Sequence, residues 1–246
     1  MSDFPALPGF PVTAPPLPRP VLCAQFWSDL TFVHWPVRPV DVAHLYPPGT
    51  DVDVFADGMT YVGLIPFRMA YTKLGAGPGI PYFGRFAETN VRLYSVDAAG
   101  RHGVLFRSLE ASRLAVVPLI RIGLGVPYTW AKMRVRSSDT HIEYDSVRRW
   151  PRHGLRSRLT VEIGEPVTPT ALEIWFTARW GAHTRRVGRT WWVPNEHATW
   201  PLRSAEIRDM RDDLVEAAGV RCAGPAMRAL YSPGVVARFG RPVPVR

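Results

Sequence analysis

Over residues 86–94 the side chains alternate in chemical kind. Glu88, Asn90, Arg92 and Tyr94 fall on one parity, and Val91 and Leu93 fall on the other. Successive side chains of an extended strand point to opposite faces, so the stretch reads as a strand with one apolar face and one polar wall. A wall of carboxylate, amide, guanidinium and phenol faces either solvent or a polar cavity, and the surrounding chain favours the cavity.

The next forty residues support that reading. A turn at Gly100 to Gly103 leads to a strand over 104–109, then to an apolar helix from about Ser112 that stops at Gly123 and Gly125. Pro118 is expected to kink this helix, because proline lacks a backbone donor and clashes with the preceding turn. After Pro127 a further strand puts Tyr128, Trp130, Lys132 and Arg134 on one parity. The 25 prolines and 20 glycines are scattered at strand ends rather than gathered in a repeat. That punctuation predicts many short strands and turns rather than long helices.

Residues 1–22 carry prolines from Pro5 to Pro20 and read as a disordered or surface-draped arm. Nothing in 23–246 reads as a linker, and 46% hydrophobic content suffices for one folded domain. Strands are expected over 26–37, over 51–55 and 60–69 around an Asp57-Gly58 hairpin turn, and over 130–138, 141–147 and 158–163. A hairpin over 183–193 turns at Gly188, and 231–242 adds an edge strand. A short helix fits 41–46. Thr170 and Glu173 form a capping box opening a helix over 171–180, and Ser204 and Gly219 bracket a helix over 205–218. Arg68 interrupts an apolar strand face. Inside a barrel wall it would need a carboxylate, for which Glu88 is nearest by strand order; otherwise it sits at the strand's wet end. Gly75, Gly77 and Gly79 lack the following helix and Lys-Ser/Thr of a phosphate loop, and fit a mobile flap near the cavity entrance.

Several function classes recede. The net charge of +9 invites nucleic acid, yet only Lys73 and Lys132 are lysines among 30 basic residues, and no recognition motif accompanies Arg148, Arg149, Arg152, Arg156 and Arg158. Cys23 and Cys222 form neither a disulfide framework nor a C-x-x-C motif. The seven histidines show no paired metal-ligand spacing, and no G-x-S-x-G elbow is present. His34 and His197, each near tryptophan, are expected to be semi-buried and structural. Without a long apolar run or a signal-like N-terminus, the chain is expected to be soluble and cytoplasmic, with no membrane partner. No cofactor or metal is implied, and a homo-oligomer is compatible with the reading.

The run Phe86-x-Glu88-x-Asn90-Val91-Arg92-x-Tyr94, the run Ser108-Leu109-Glu110-Ala111-Ser112-Arg113, and Gly125-Val126-Pro127-Tyr128 with Ala131-x-Met133 resemble the YqjF-like family of uncharacterised bacterial proteins. His34-Trp35-Pro36-Val37, residues 62–69, Trp200-Pro201-Leu202 and Tyr231-Ser232-Pro233-Gly234 fit it too. The resemblance spans the chain from about Ala24 and extends, more distantly, to the acetoacetate decarboxylases. It implies a mainly β fold: an antiparallel sheet closed into a cone or barrel around a small-molecule cavity, with a few helices outside. Decarboxylases of that kind form a Schiff base through a lysine in a Pro-Lys-Lys run. Here the run is Pro127-Tyr128-Thr129, so the amine is missing. Lys132 shares the parity of Tyr128 but lies roughly 13 Å along the strand, beyond a side chain's reach. Glu88 stands where the resemblance puts the acidic partner.

The resulting expectation is a small organic ligand held in a polar cavity by Arg68, Glu88, Asn90, Arg92, Tyr128 and Lys132, without Schiff-base chemistry. The alternative is a lyase or isomerase using Glu88 as acid or base on a carbonyl or carboxylate substrate. A basic nucleic-acid or surface adaptor is the third. If the polar wall lines a closed cone, Glu88 must pair with Arg92 or Arg68 or else protonate; the sequence favours pairing.

Overall fold

The computed structural model describes residue 7 and residues 9–246; Pro5 and Pro8 of the arm lie outside them. As the punctuation predicts, strands dominate. The first half comprises β1 (Cys23–Val37), α1 (Pro39–Val42), β2 (Thr50–Val52), β3 (Thr60–Leu74), β4 (Phe86–Asp97), β5 (His102–Ala111) and α2 (Val116–Leu124). The middle holds β6 (Tyr128–Ser137), β7 (His141–Trp150), β8 (Arg156–Pro166) and α3 (Ala171–Thr177). β9 (Gly181–Arg186), β10 (Arg189–Glu196), β11 (Arg203–Asp212), α4 (Leu214–Ala217), β12 (Ala229–Phe239) and β13 (Val243–Pro244) complete the order.

All thirteen strands share one sheet. Nine of them close on themselves in the order β5-β6-β7-β8-β11-β12-β1-β3-β4, with β4 pairing back to β5. Closure leaves those strands without the unpaired edges of an open sheet. β9 and β10 span a second path, from β5 to β12. The sheet is mixed rather than wholly antiparallel, because β5 runs parallel to β6 and to β9. Parallel neighbours need a crossover, and α2 lies in the one joining β5 to β6.

Several local expectations give way to the ring. α2 begins at Val116, so Pro118 lies in its first turn, where a missing N–H costs no helical bond, rather than in the interior where it would kink the helix. The helix ends at Gly125, whose φ is +69°; a Cβ there would run into the Arg185 carbonyl, so β9 packs directly on the helix end. Residues 205–218 do not form one helix. Most of them belong to β11, which fills the space between β8 and β12, and only Leu214–Ala217 is helical. Tertiary pairing overrides the helix-favouring composition, because the flanking strands would otherwise be left unpaired. β12 is correspondingly interior rather than an edge, bordered by β1 and β11. β2 pairs with β4 instead of forming a hairpin with β3, although the Asp57-Gly58 turn is present. The Thr170 capping box forms, and the β9–β10 hairpin turns at Val187-Gly188.

Apolar residues of β1, β3, β4 and β5 pack beneath α1 and α4 in one core cluster, and Leu30, Phe32, Ile65, Phe67, Trp200 and Leu230 make another. The N-terminal arm drapes over α3: Leu7, Phe10, Val12 and Ala14 pack against Ile174 and Trp180, and the Trp180 indole donates to the Pro11 carbonyl at 2.6 Å.

Candidate functional site

The strand period of two decides what the interior sees. Glu88, Asn90 and Arg92 of β4 line a cavity of about 310 Å³, as do Ile65, Phe67 and Met69 of β3. Tyr128 at the head of β6 joins them, with wall residues from β1, β5, α2, β9, β10 and β12. The walls are largely apolar, including Leu30, Leu109, Val126 and Trp200; Trp27 stacks on Trp200 with ring centres 6.1 Å apart.

Arg68 and Lys132 are not part of this cavity. Glu88 pairs across the ladder with Phe67, so the next residue, Arg68, points to the opposite face of β3. There it forms an ion pair with Asp29 at 2.9 Å and donates to the Val135 carbonyl at 3.0 Å. Lys132 lies beyond the cavity on an outer groove that Arg68 also lines. Tyr94 shares the parity of Glu88 but is sealed in the core, hydrogen-bonded to His34 Nε2 at 2.6 Å.

Glu88 has solved its desolvation differently from the expected ion pair. It is only 3% exposed, and its carboxylate accepts a hydrogen bond from the Tyr128 hydroxyl at 2.8 Å. Burial pushes its pKa up to about 8, with the Tyr128 bond opposing the shift, so the group is mostly protonated at neutral pH. The Tyr128 phenol is itself driven well up by burial and by Glu88. Arg92, the expected partner, instead donates to the Phe176 carbonyl at 3.1 Å and to the Tyr94 hydroxyl at 3.3 Å.

The wall also holds a second arginine, which the strand alternation does not mark. Arg179, between α3 and β9, donates through Nε to the Trp175 carbonyl at 2.7 Å and through Nη1 to Asp53. Its guanidinium lies 4.0 Å from the Trp175 ring centre and 4.5 Å from that of Tyr94. The clue in the sequence was a lone charge in the apolar run between Ile174 and Ala182. What places it at the cavity is closure of the β9–β10 path, which no local pattern announces.

Four buried polar atoms in the wall lack any hydrogen-bond partner among the described residues: Asn90 Oδ1, Arg179 Nη2, Thr184 Oγ1 and Asn195 Oδ1. Native proteins satisfy most buried polar atoms; four others lie away from the cavity, at Thr60, Ser108, Ser146 and Asp212, and the four in its wall are open to a polar contact from water or a small molecule. His197 also lines the cavity, its pKa lowered to about 4 by burial and its Nδ1 2.8 Å from the Ala198 carbonyl. His34 does not line it; the ring stacks on Phe176 with centres 3.8 Å apart, and burial holds it neutral. Cys23 in the wall is a weak nucleophile, its thiol pushed up to about 11 by burial.

A Ser95-His183-Asp97 chain has the residue types of a hydrolytic triad but the ring nitrogens exchanged, with Ser95 Oγ 2.8 Å from Nδ1 and Asp97 Oδ2 3.1 Å from Nε2. All three residues are sealed, and neither the cavity nor the outer groove reaches Ser95, so the chain braces β4 against β9. Among the described residues no three His, Cys, Asp or Glu side chains converge, and no helix is long and apolar enough to cross a membrane.

Residues 24–236 match a family described as uncharacterized conserved protein, DUF2071. The uncharacterized protein YqjF of Bacillus subtilis is 27% identical over 198 residues, covering 80% of this chain and 81% of YqjF. Among solved structures, an acetoacetate decarboxylase-like enzyme from Sphingomonas wittichii superimposes with a TM-score of 0.65 at 12% identity, covering 92% of this chain and 94% of the enzyme. The enduracididine biosynthesis enzyme MppR in complex with pyruvate gives 0.57 at 10% identity, covering 93% and 92%. These likenesses establish an acetoacetate decarboxylase-like fold.

Proposed function

The chain belongs to DUF2071, a family of uncharacterized conserved proteins, and on that premise we propose that it binds a small organic molecule in the cavity behind β4. The observation that carries the reading is the set of four unpartnered polar atoms in an otherwise mainly apolar wall. They ask for a ligand with an apolar body and a head group that accepts from Arg179 and donates to Asn90 or Asn195. A ligand of that kind removes the cost of leaving those atoms unpaired. The volume suits a molecule of modest size, and the pyruvate held by MppR is a reasonable first probe.

The Schiff-base route of the decarboxylases lacks support in these walls, because neither Lys73 nor Lys132 lines the cavity. Exposure to acetoacetate followed by borohydride is expected to leave the protein's mass unchanged. One observation favours a second reading, in which Glu88 transfers a proton: a carboxyl with a pKa of about 8 can give up or take a proton near neutrality. That role requires a substrate carbonyl or carboxylate within reach of Glu88, in the manner of a lyase or isomerase.

The test is thermal unfolding of the full chain against a panel of pyruvate, longer 2-oxo acids and neutral amides and alcohols of matching length. A true ligand raises the midpoint with concentration, through a stabilisation of about 2.7 kcal/mol at a hundredfold excess over Kd. Asn90→Leu, which removes one orphaned acceptor, is expected to weaken the best ligand by about tenfold. A panel without any concentration-dependent shift, or a borohydride adduct on either lysine, would sink the reading.

A further inference from the structure

Around the ends of β3, β4 and β6, where Arg68 and Lys132 emerge, lies a second concavity of about 990 Å³. We propose that it is a binding site for a nucleoside di- or triphosphate, distinct from the cavity behind β4, with which it shares only Met69. Arg85, Arg113, Lys132 and Arg149 surround it, and its walls contain no carboxylate. None of these four has an ion-pair partner among the described residues; the fifth cation, Arg68, is paired with Asp29.

Elsewhere on the sheet some arginines are paired and others, such as Arg134, Arg156, Arg185, Arg186, Arg189 and Arg211, stand exposed without an ion pair among the described residues. Arg136 and Arg158 share Glu143, Arg208 meets Glu162 and Glu206, and Arg238 faces Glu196. What sets the groove apart is that cations from four separate segments meet around one concavity that holds no carboxylate. A concave surface of one sign concentrates field and attracts a counter-charge, and four cations call for more than the single charge of a carboxylate. Two of the groups are already oriented. The Arg113 guanidinium lies 4.0 Å from the Tyr82 ring centre, and Arg149 Nη1 is 3.3 Å from His153 Nε2. Arginine forks fit phosphate oxygens two at a time.

The floor decides what accompanies the phosphates. Phe86, Trp130 and Met133 line the groove half-buried, and an aromatic face at the base of a cationic rim suits a stacked nucleobase. The cations surround one concavity of small-ligand dimensions rather than following a stripe, which favours a single nucleotide over a nucleic-acid strand.

The experiment titrates the full chain with a fluorescent N-methylanthraniloyl ADP and follows anisotropy, with tripolyphosphate as competitor. Saturable binding is expected, falling steeply as salt rises from about 50 to about 200 mM. Lys132→Ala combined with Arg149→Ala should weaken it by about tenfold or more, whereas Arg221→Ala, which removes an exposed charge outside the groove, should change it less than about twofold. Trp130→Leu should weaken the nucleotide while leaving direct tripolyphosphate binding intact. The proposal is overturned by absence of saturable binding of both probes at about 1 mM in low salt, by equal losses in the Arg221 and groove variants, or by an oligothymidylate that binds more tightly than ADP.

Discussion

Glu88 and Asp53 are both removed from water, yet the protein holds one mostly neutral and the other charged. Burial pushes both carboxyls up. At Glu88 only a tyrosine hydroxyl answers, and the pKa settles at about 8. At Asp53 the Arg179 guanidinium and the His102 imidazole, 2.8 Å away, outweigh burial and hold the carboxyl below its ordinary value. The difference lies in the company of each acid, since a hydrogen bond softens desolvation whereas a buried cation can reverse it. Glu88 lines the cavity and Asp53 anchors an arginine that does, so the wall offers a proton-bearing acid and a fixed cation together.

The comparison breaks most visibly at Asp53. Asp53→Asn leaves Arg179 buried without its counter-charge, and urea unfolding near neutrality should register a loss on the order of 3–5 kcal/mol. A loss below about 1 kcal/mol would mean that the cation finds water or another acceptor, and the contrast with Glu88 would dissolve.

Opposite pH dependences sharpen it. The folded pKa of Glu88, about 8, exceeds its ordinary 4.5, so its contribution to stability is fully present below the lower value and is lost as pH rises toward the upper one. Glu88→Gln removes that slope, and the variant should gain on its parent by on the order of 3 kcal/mol between about pH 5 and about pH 8. Asp53 slopes the other way: its lowered pKa contributes stability above the ordinary 3.8 that is lost as pH falls through the folded value. Stability curves of the parent and both variants across pH test the pair, and a pH-independent difference for Glu88→Gln would put its carboxyl in water or beside a cation. An ion pair at Glu88, as the sequence suggests, would make this substitution a loss; the absence of a cation there reverses that expectation.

The smallest effect belongs to Tyr128. Tyr128→Phe removes the hydrogen bond to Glu88 and should cost about 1–2 kcal/mol near neutrality. Because that bond lowers the Glu88 pKa, the variant's loss of stability with rising pH should extend further into the alkaline range than the parent's. An unchanged profile would show that the phenol and the carboxyl act separately.

Part of this site is legible in the sequence. Glu88, Asn90 and Arg92 share a cavity because side-chain alternation is local, and Tyr128 joins them at the head of the next strand beyond β5. The same alternation keeps Arg68 away from Glu88, since Arg68 follows the residue that pairs with it. Lys132 shares the parity of Tyr128, yet Trp130 two residues along already lines the second groove, where Lys132 also emerges. Arg179 stands out as a lone charge in an apolar run, but nothing local places it, Thr184 or Asn195 at the cavity, because their segment reaches it only through the β9–β10 path. Residues 205–218 mislead because their helix-favouring composition is overruled by two strands that need a neighbour.

By itself the sequence determined the strand-rich build, the capping box at Thr170 and the polar face of β4, because turn chemistry, capping and the period of two act between residues close in the chain. Only the tertiary structure decided which acid keeps its proton and which cation faces the cavity. Ionisation inside a protein depends on what else is buried within a few ångströms, and the β9–β10 path brings Arg179 to Asp53 while leaving Glu88 with only Tyr128.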